Sequence, residues 1–83
     1  MKLELLYFAQ LRESFGIQQE ELECQVDTVQ DLIHHLSLRG GRWKEELTGG
    51  QPLKVAVDQQ MVSPSFMLRS GSEVAFFRPV TGG

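Results

Sequence analysis

Hydrophobic and polar positions alternate in four stretches of this chain, at residues 2–11, 18–26, 53–57 and 73–77. This period of two predicts β-strands, and a reversal at residues 58–60 predicts a very short further strand at Met61-Val62. A short helical turn is expected at residues 12–15, ended by Gly16. We expect the first two strands, which a short connection joins, to form a hairpin. The side chains predicted to face inward from these two strands are Leu3, Leu5, Tyr7, Ala9, Leu22, Cys24 and Val26.

A helical period follows the second strand and predicts one main helix. Thr28 is placed to cap its first turn by accepting a hydrogen bond from the backbone near Asp31, and Gly40-Gly41 is expected to end the helix. Leu38 lies off the buried stripe, so we expect it to be exposed or past the helix end. The stripe itself, spaced at i, i+3, i+4 and i+7, consists of Val29, Leu32, Ile33 and Leu36.

The order of these elements predicts an α+β fold, with one mixed sheet and one main helix packed on one of its faces. A first hairpin, a crossover helix and a last strand that returns beside the first describe the β-grasp, or ubiquitin-like, fold. The periodicity alone leaves the strand order open. A second short helical turn is expected at residues 42–47, anchored by Trp43 and Leu47. We predict one domain at residues 1–77 and an extended tail at residues 78–83 that ends in two glycines.

The tail is the most informative feature of the sequence. Gly82 and Gly83 follow an apolar strand almost directly, whereas frayed and inert termini are usually polar. Two residues without a Cβ atom can pass through a narrow tunnel and bring the terminal carboxylate close to another protein's backbone. The carboxylate of Gly83 is therefore the candidate reactive group, and a frayed end without function is the alternative.

Size and charge restrict the function further. A chain of 83 residues has room for one core but not for a deep enclosed pocket, which favours a binding or carrier module over a self-contained enzyme. The net charge is −3 and no run of Lys or Arg occurs, so nucleic acid is not an expected partner. The apolar stretch near the N-terminus is interrupted by Glu4 and resembles neither a signal peptide nor a membrane span. With a single cysteine no internal disulfide can form, so we expect a cytoplasmic protein without membrane attachment.

No residue pattern predicts catalytic machinery or a metal site within the chain itself. Cys24 lies in an alternating strand on the side of its apolar neighbours, which predicts a buried and unreactive thiol rather than a nucleophile. His34 and His35 are adjacent on a helix and point about 100° apart, so they cannot share a metal ion. The isolated chain is therefore not expected to be catalytic.

Three apolar side chains are predicted to face away from the core. Phe8 and Phe77 alternate away from the inner faces of the first and last strands, and Met61 follows a reversal. Neighbouring first and last strands, as in a β-grasp sheet, would place Phe8 and Phe77 side by side on the exposed face. An apolar patch next to the tail predicts a docking surface for another protein, with scattered surface hydrophobes as the alternative.

Three segments, in the same order along the chain, resemble the small subunit of molybdopterin synthase, the MoaD family. The resemblance covers essentially the whole chain, and its C-terminal segment is the most specific. It implies a ubiquitin-like fold and the role of a sulfur carrier in molybdenum cofactor biosynthesis. The segments are Tyr7-Phe8-Ala9-Gln10-Leu11-Arg12-Glu13, Arg42-Trp43 and Glu73-Val74-Ala75-Phe76-Phe77-Arg78-Pro79-Val80-Thr81-Gly82-Gly83.

In this family the reactive group is the C-terminal glycine, which is Gly83 here, with Gly82 beside it. The resemblance implies that an ATP-dependent activating enzyme adenylates the carboxylate and that sulfur from a persulfide converts it to a thiocarboxylate. The tail then delivers the sulfur to cyclic pyranopterin monophosphate in the active site of the large subunit, within a heterotetramer. The chain is thus an enzyme only as the small subunit of a sulfur transferase. It binds no cofactor, because ATP is used by the activating enzyme.

The resemblance also assigns residues to partner binding. Phe8, Met61 and Phe77 match the hydrophobic docking surface of the family, and Arg12 matches a polar contact beside it. Arg78 stands where a second proline is common, so we expect a tail base that is less rigid and more cationic. The tail residues expected to enter the partner are Arg78, Pro79, Val80 and Thr81.

Other ubiquitin-like proteins with a Gly-Gly end are the alternatives. Sulfur carriers for thiamine-thiazole synthesis or tRNA thiolation share the fold and the Gly-Gly end. The sequence of residues 76–81, just before the two glycines, argues against these carriers. A protein modifier would instead form isopeptide bonds with lysines of other proteins. The fate of the terminal carboxylate, as a thiocarboxylate or as a lysine conjugate, distinguishes these functions.

Overall fold

Five strands form one mixed sheet in the computed structural model of this chain, which describes residues 1–79. The strands are β1 (Lys2–Tyr7), β2 (Gln19–Glu23), β3 (Lys54–Val57), β4 (Gln60–Val62) and β5 (Glu73–Phe77). The helices are α1 (Ala9–Phe15), α2 (Val29–Ser37) and α3 (Gly41–Thr48). The strand order is β2-β1-β5-β3-β4, with β1 and β5 parallel and the other neighbouring pairs antiparallel. The predicted β-grasp fold is confirmed, and the order that periodicity left open places β5 at the centre.

The core lies between one face of the sheet and helix α2. Along β1 the inward residues Leu3, Leu5 and Tyr7 are fully buried, while the residues between them are exposed or half-buried, as the alternation predicts. The four residues of the α2 stripe are buried as predicted. Val74 and Phe76 supply the matching inner face of β5. We call the opposite face of the sheet its outer face.

Helix α2 begins as predicted but ends earlier. The Thr28 hydroxyl accepts a hydrogen bond from the Asp31 N–H at 3.1 Å, and the Asp31 carboxylate accepts one from the Thr28 N–H at 3.1 Å. This reciprocal cap satisfies the first turn. The helix ends one residue before Leu38, which is 70% exposed, as expected. The prediction that Gly40 and Gly41 end this helix is wrong, because α2 ends at Ser37. Both glycines have positive φ values and lead the chain into α3.

The first strand is shorter than its alternation predicts, and Ala9 does not face the core. β1 ends at Tyr7, and Ala9 is exposed at the start of α1 with a φ of 46°. The turn predicted at residues 12–15 is therefore part of a longer helix, which Gly16 ends as predicted. This helix fully buries Leu11, a larger apolar side chain than Ala9, and burial of apolar area favours that exchange.

The remaining elements agree with the sequence patterns in type, although β2 is shorter than predicted. Cys24 and Val26 are buried just beyond the end of β2, and Leu22 is half-buried within it. The second predicted turn is part of α3, where Leu47 is buried and Trp43 is half-buried against the core.

A polar and aromatic cluster that no sequence pattern reveals joins β1, α1, β2, α3 and the segment after α2. The Tyr7 hydroxyl donates a 2.7 Å hydrogen bond to Glu20, and Arg39 donates two bonds of 2.8 Å to the same carboxylate. The Arg39 guanidinium lies 4.3 Å from the centroid of the Trp43 ring, on which Phe15 stacks at 3.8 Å. The hydrogen bond from Arg39 holds the pKa of Glu20 below its ordinary value. Burial and the bond to Glu20 raise the pKa of Tyr7, so the phenol stays a hydrogen-bond donor.

Replacing Glu20 with Gln is expected to lower the free energy of unfolding by about 1–2 kcal/mol at neutral pH, because a charge-assisted pair becomes a neutral contact. Folding depresses the pKa of Glu20, so its contribution is fully present above the pKa of the unfolded carboxyl, about 4.3. The contribution is lost as the pH falls through the lower folded pKa. Urea unfolding of Glu20→Gln and the wild type from neutral to acidic pH measures this difference.

Glu21→Gln is the matched control, because Glu21 is on the same strand and pairs with Lys2 at 2.9 Å with both side chains exposed. We expect it to change the free energy of unfolding by less than about 0.5 kcal/mol. Equal effects of the two substitutions, or a Glu20→Gln effect that does not shrink in acid, would contradict the role of this carboxylate.

Candidate functional site

The central strand β5 carries the chain toward its C-terminus through the middle of the sheet. On one side the Phe8 N–H donates a hydrogen bond of 3.2 Å to the Phe76 carbonyl, and on the other side Phe77 is paired with Lys54. Both neighbouring segments therefore hold β5 up to the residue before Arg78. Beyond this base, Val80 and Thr81, which are predicted to bind a partner, lie outside the described residues. So do Gly82 and Gly83, which are predicted to carry the terminal chemistry.

The outer face of the sheet carries an apolar row that crosses four strands. Leu6 of β1 is opposite Ala75 of β5. Ala75 is in turn opposite Ala56 of β3, which is opposite Met61 of β4. Paired residues project to the same face of a sheet, and each member of the row lies between inward-facing residues of its own strand or of its strand partner, although Ala75 itself is only 9% exposed. Met61 is 56% exposed. The two alanines have short side chains, so the surface is shallow in the middle of the row.

Phe8 and Phe77 lie beside this row at the end nearer the tail. The register pairs Tyr7 with Phe76, and Phe8 keeps an extended backbone, so the same register continued by one residue places Phe8 beside Phe77. Phe8 is 48% exposed and Phe77 is half-buried. We refer to the whole apolar surface as the docking face, which consists of Leu6, Phe8, Ala56, Met61, Ala75 and Phe77.

Leu6, Ala56 and Ala75 are not among the residues predicted to bind a partner, although the sequence carries a signal for them. Leu6 is two positions before Phe8 in the predicted first strand, so both side chains are expected on the same face. Ala56 and Ala75 lie between inward-facing residues of their own strands. An alanine does not stand out as apolar surface by itself. The register between strands is needed to show that the two alanines connect Leu6 to Met61.

Charged residues border the docking face at both ends. Away from the tail, Glu4 is opposite Glu21 of β2 and Glu73 of β5 on the same outer face. At the tail end, Lys54 is opposite Phe77. The outer face is therefore acidic at one end, while its apolar residues and one lysine lie at the end where the tail leaves.

Arg12 lies on α1, four residues after Phe8 of the docking face. Its helix begins directly after Phe8, whose carbonyl accepts a hydrogen bond from the Arg12 N–H at 3.4 Å. The side chain is exposed, and no ion pair among residues 1–79 involves its guanidinium. That Arg12 makes a polar contact with a partner stays a prediction.

Arg78 is bound to the body of the protein. Its Nη1 donates to the Pro52 carbonyl at 2.8 Å, and its Nη2 donates to the Glu46 carbonyl at 2.5 Å. The Glu46 carboxylate lies 3.4 Å from Nη2, and the Arg78 side chain is only 12% exposed. The expectation of a less rigid and more cationic tail base is therefore wrong, because Glu46 and two carbonyls bind the charge. Pro79, the next residue, is half-buried.

The other candidate groups lie in the body of the protein and form no reactive site. Cys24 is 6% exposed, and burial raises the pKa of its thiol, which confirms the buried cysteine. His34 is exposed and His35 is half-buried on α2. Among the described residues no three metal-binding side chains come together, and no helix is long and apolar enough to cross a membrane.

Comparison with known proteins gives matches along nearly the whole chain. The ThiS family matches residues 5–83. A protein of Escherichia coli named molybdopterin synthase sulfur carrier subunit is 42% identical over 98% of this chain and 99% of its own length. A protein of the same name from Haemophilus influenzae is 38% identical over the same shares.

A solved structure supports the same relationship. The putative molybdopterin converting factor, subunit 1, from Pyrococcus furiosus has a TM-score of 0.78 and 27% identity, covering 96% of this chain and 99% of that one. The resemblance found in the sequence motifs is thus confirmed by full-length relatives and by a solved fold.

The buried Cys24 should react slowly with a thiol reagent while the protein is folded. Burial and a raised pKa both reduce the thiolate available, so we expect the native rate at mildly alkaline pH to be at least about tenfold below that in urea. The release of a coloured thiol from an aromatic disulfide reagent measures both rates. The double variant Cys24→Ala/Ser65→Cys, with its thiol at an exposed position, is the control and should react equally fast in both states. A fast native reaction at Cys24 would contradict the buried assignment.

Proposed function

Since the chain belongs to the ThiS family, we propose that it is the sulfur-carrier subunit of a molybdopterin synthase, with the carboxylate of Gly83 as its reactive group. The observation that carries this proposal is the full-length agreement with two relatives that bear this name. A tail base that leaves the centre of the sheet beside an apolar face agrees with such a role.

The terminal carboxylate must be activated first, because a free carboxylate is a poor electrophile. In the proposed sequence a carboxylate oxygen attacks the α-phosphorus of ATP on an activating enzyme, pyrophosphate leaves and an acyl-adenylate forms. The outer sulfur of a persulfide then attacks the acyl carbon, and AMP leaves. A second thiol attacks the inner sulfur, so that a disulfide forms and the thiocarboxylate is released. Gly83 has no side chain to obstruct attack at this carbon.

The loaded tail then delivers its sulfur to cyclic pyranopterin monophosphate in the active site of the large subunit. Two such deliveries supply the dithiolene sulfurs of molybdopterin. The chain binds no cofactor in this scheme, and ATP is used by the activating enzyme. The isolated chain is not catalytic, because its partners provide the groups that act on the terminus. We place this chemistry in the cytoplasm, where ATP is supplied and thiols stay reduced.

The docking face gives the large subunit a surface to bind. Burial of Phe8, Met61 and Phe77 would supply apolar area at the centre of the contact, and Arg12 would add a polar contact at its rim. One small subunit at each end of a large-subunit dimer gives a heterotetramer. If extended, the six residues from Arg78 to Gly83 would reach about 20 Å, which would let the body stay outside the partner's active site.

The length of the tail should be critical for sulfur transfer. Deleting Gly83, or appending one alanine after it, is expected to abolish transfer to the precursor, because the reactive carbon no longer reaches the catalytic position. The fold should be unchanged, since these residues follow the last strand. Intact-mass analysis after incubation with activating enzyme, ATP and a persulfide donor, followed by assay with the large subunit, measures loading and transfer separately. Full transfer by either variant would contradict the proposal.

Phe77→Glu should weaken binding to the large subunit, because a carboxylate would be desolvated within an apolar contact. A loss of at least about 2 kcal/mol, or roughly 30-fold in Kd, is expected for a central contact residue. Phe66→Glu is the matched control, since Phe66 is also exposed but lies in the loop beside the start of α2. Its Kd should stay within about threefold of the wild type. Equal Kd values for the two variants in calorimetric titration would remove the docking face from the proposal.

A further inference from the structure

Arg78 connects the base of the tail to two segments that are distant in sequence. Its guanidinium contacts Glu46 in α3 and Pro52 in the loop between α3 and β3. β5 ends at Phe77, whose ladder partner is Lys54, so Arg78 is the first residue beyond the strand register. Its position after β5 is thus fixed by its side chain.

The acceptors explain why an arginine fits this place. The Glu46 carbonyl belongs to the last turn of α3, where carbonyls lack partners within the helix and carry partial negative charge. The two terminal nitrogens of a planar guanidinium can reach this carbonyl and the Pro52 carbonyl together, at 2.5 and 2.8 Å. The Glu46 carboxylate is a weaker third partner at 3.4 Å. Two main-chain oxygens therefore carry most of the contact.

We propose that Arg78 is a positioning residue, which fixes the direction in which the reactive tail leaves the fold. The inference rests on the proposed function, because a direction matters only if the terminus must enter partner sites. The clamp, defined as the contacts of Arg78 with Glu46 and Pro52, restrains the residue just before Pro79. Proline has a fixed φ, so a restrained residue 78 and Pro79 together give the chain one line of exit. A second proline at position 78 would restrict the same backbone by other means.

The consequence of the clamp is entropic. A tail whose base already points in one direction loses less conformational freedom when it enters a partner. This smaller loss of entropy favours binding and does not change the chemical step, because the clamp lies five residues before the reactive carboxylate. Loss of the clamp should therefore raise KM for the carrier and leave kcat nearly unchanged.

The test compares three substitutions at position 78 in the full chain. Arg78→Met keeps the length and apolar stem but removes every donor. Arg78→Lys keeps the charge without the planar fork. Arg78→Pro removes the clamp but restricts the backbone, and it sacrifices no amide contact, because the Arg78 N–H donates no hydrogen bond within residues 1–79.

The first measurement needs no partner and reports on the tail directly. We expect the heteronuclear ¹⁵N NOE at Val80 and Thr81 to fall in Arg78→Met and to return toward the wild-type value in Arg78→Pro. Arg78→Lys should lie between them. Arg42→Met is the matched control, since Arg42 is exposed on α3, and it should leave the NOE unchanged. Glu46→Gln keeps the main-chain acceptor and should also leave the NOE nearly unchanged.

The second measurement is pyrophosphate release by the activating enzyme at varied carrier concentration. Arg78→Met should raise KM about tenfold, the effect of freeing one backbone residue, with kcat within about twofold of the wild type. Arg78→Pro should recover most of the wild-type KM. A contact that only stabilises the fold would lower Tm in both variants alike and would not distinguish them in KM.

The proposal is overturned if Arg78→Met leaves both the NOE at Val80 and the KM unchanged, whatever its Tm, or if Arg78→Pro behaves as Arg78→Met does. Should Arg78→Met fail to fold, the comparison of Arg78→Lys and Arg78→Pro with the wild type decides in the same way. Absence of adenylation in the wild type would instead refute the proposed function. The NOE comparison would still decide whether Arg78 restrains the tail.

Discussion

The parallel pairing of β1 with β5 decides where the end of this chain leaves the fold. It places β5 at the centre of the sheet, between β1 and β3, so the base of the tail at Arg78 follows a strand that is held on both sides. The same register brings Phe8 beside Phe77 and Leu6 opposite Ala75, which assembles the docking face next to the tail base. One backbone arrangement thus produces both the recognition surface and the exit of the proposed reactive group.

The body and the tail divide the work in the proposed function. The body buries one core between α2 and the inner face of the sheet, and its outer face stays available to partners. The tail base is restrained by the strand ladder up to Phe77 and by the Arg78 clamp beyond it. A carrier needs this combination, because partners must recognise a stable surface while a slender terminus reaches their active sites. The cluster around Glu20 serves the stability of the body.

Periodicity in the sequence predicts what depends on neighbouring positions. The stripe of α2, the alternation of β1 and the reciprocal cap at Thr28 and Asp31 all follow from local spacing, and the structure has each of them. The start of α1 is missed, because alternation continues through Ala9 while burial of Leu11 favours a helix. Strand order, and with it the apolar row through the alanines, depends on contacts between distant segments that periodicity does not encode. Arg78 is misjudged for the same reason, since its acceptors on α3 and the following loop are more than 25 positions away.

The central claim is that the terminal carboxylate of Gly83 is the group that this protein uses. The most direct test isolates the chain from its native cells under conditions that preserve thioacids and determines the mass of its last peptide. The account predicts a fraction of chains in which one oxygen of the Gly83 carboxylate is replaced by sulfur, and this fraction should disappear when the activating enzyme is deleted. Gly83 found only in isopeptide linkage to lysines, or only as an unmodified carboxylate in cells that synthesise molybdopterin, would contradict it.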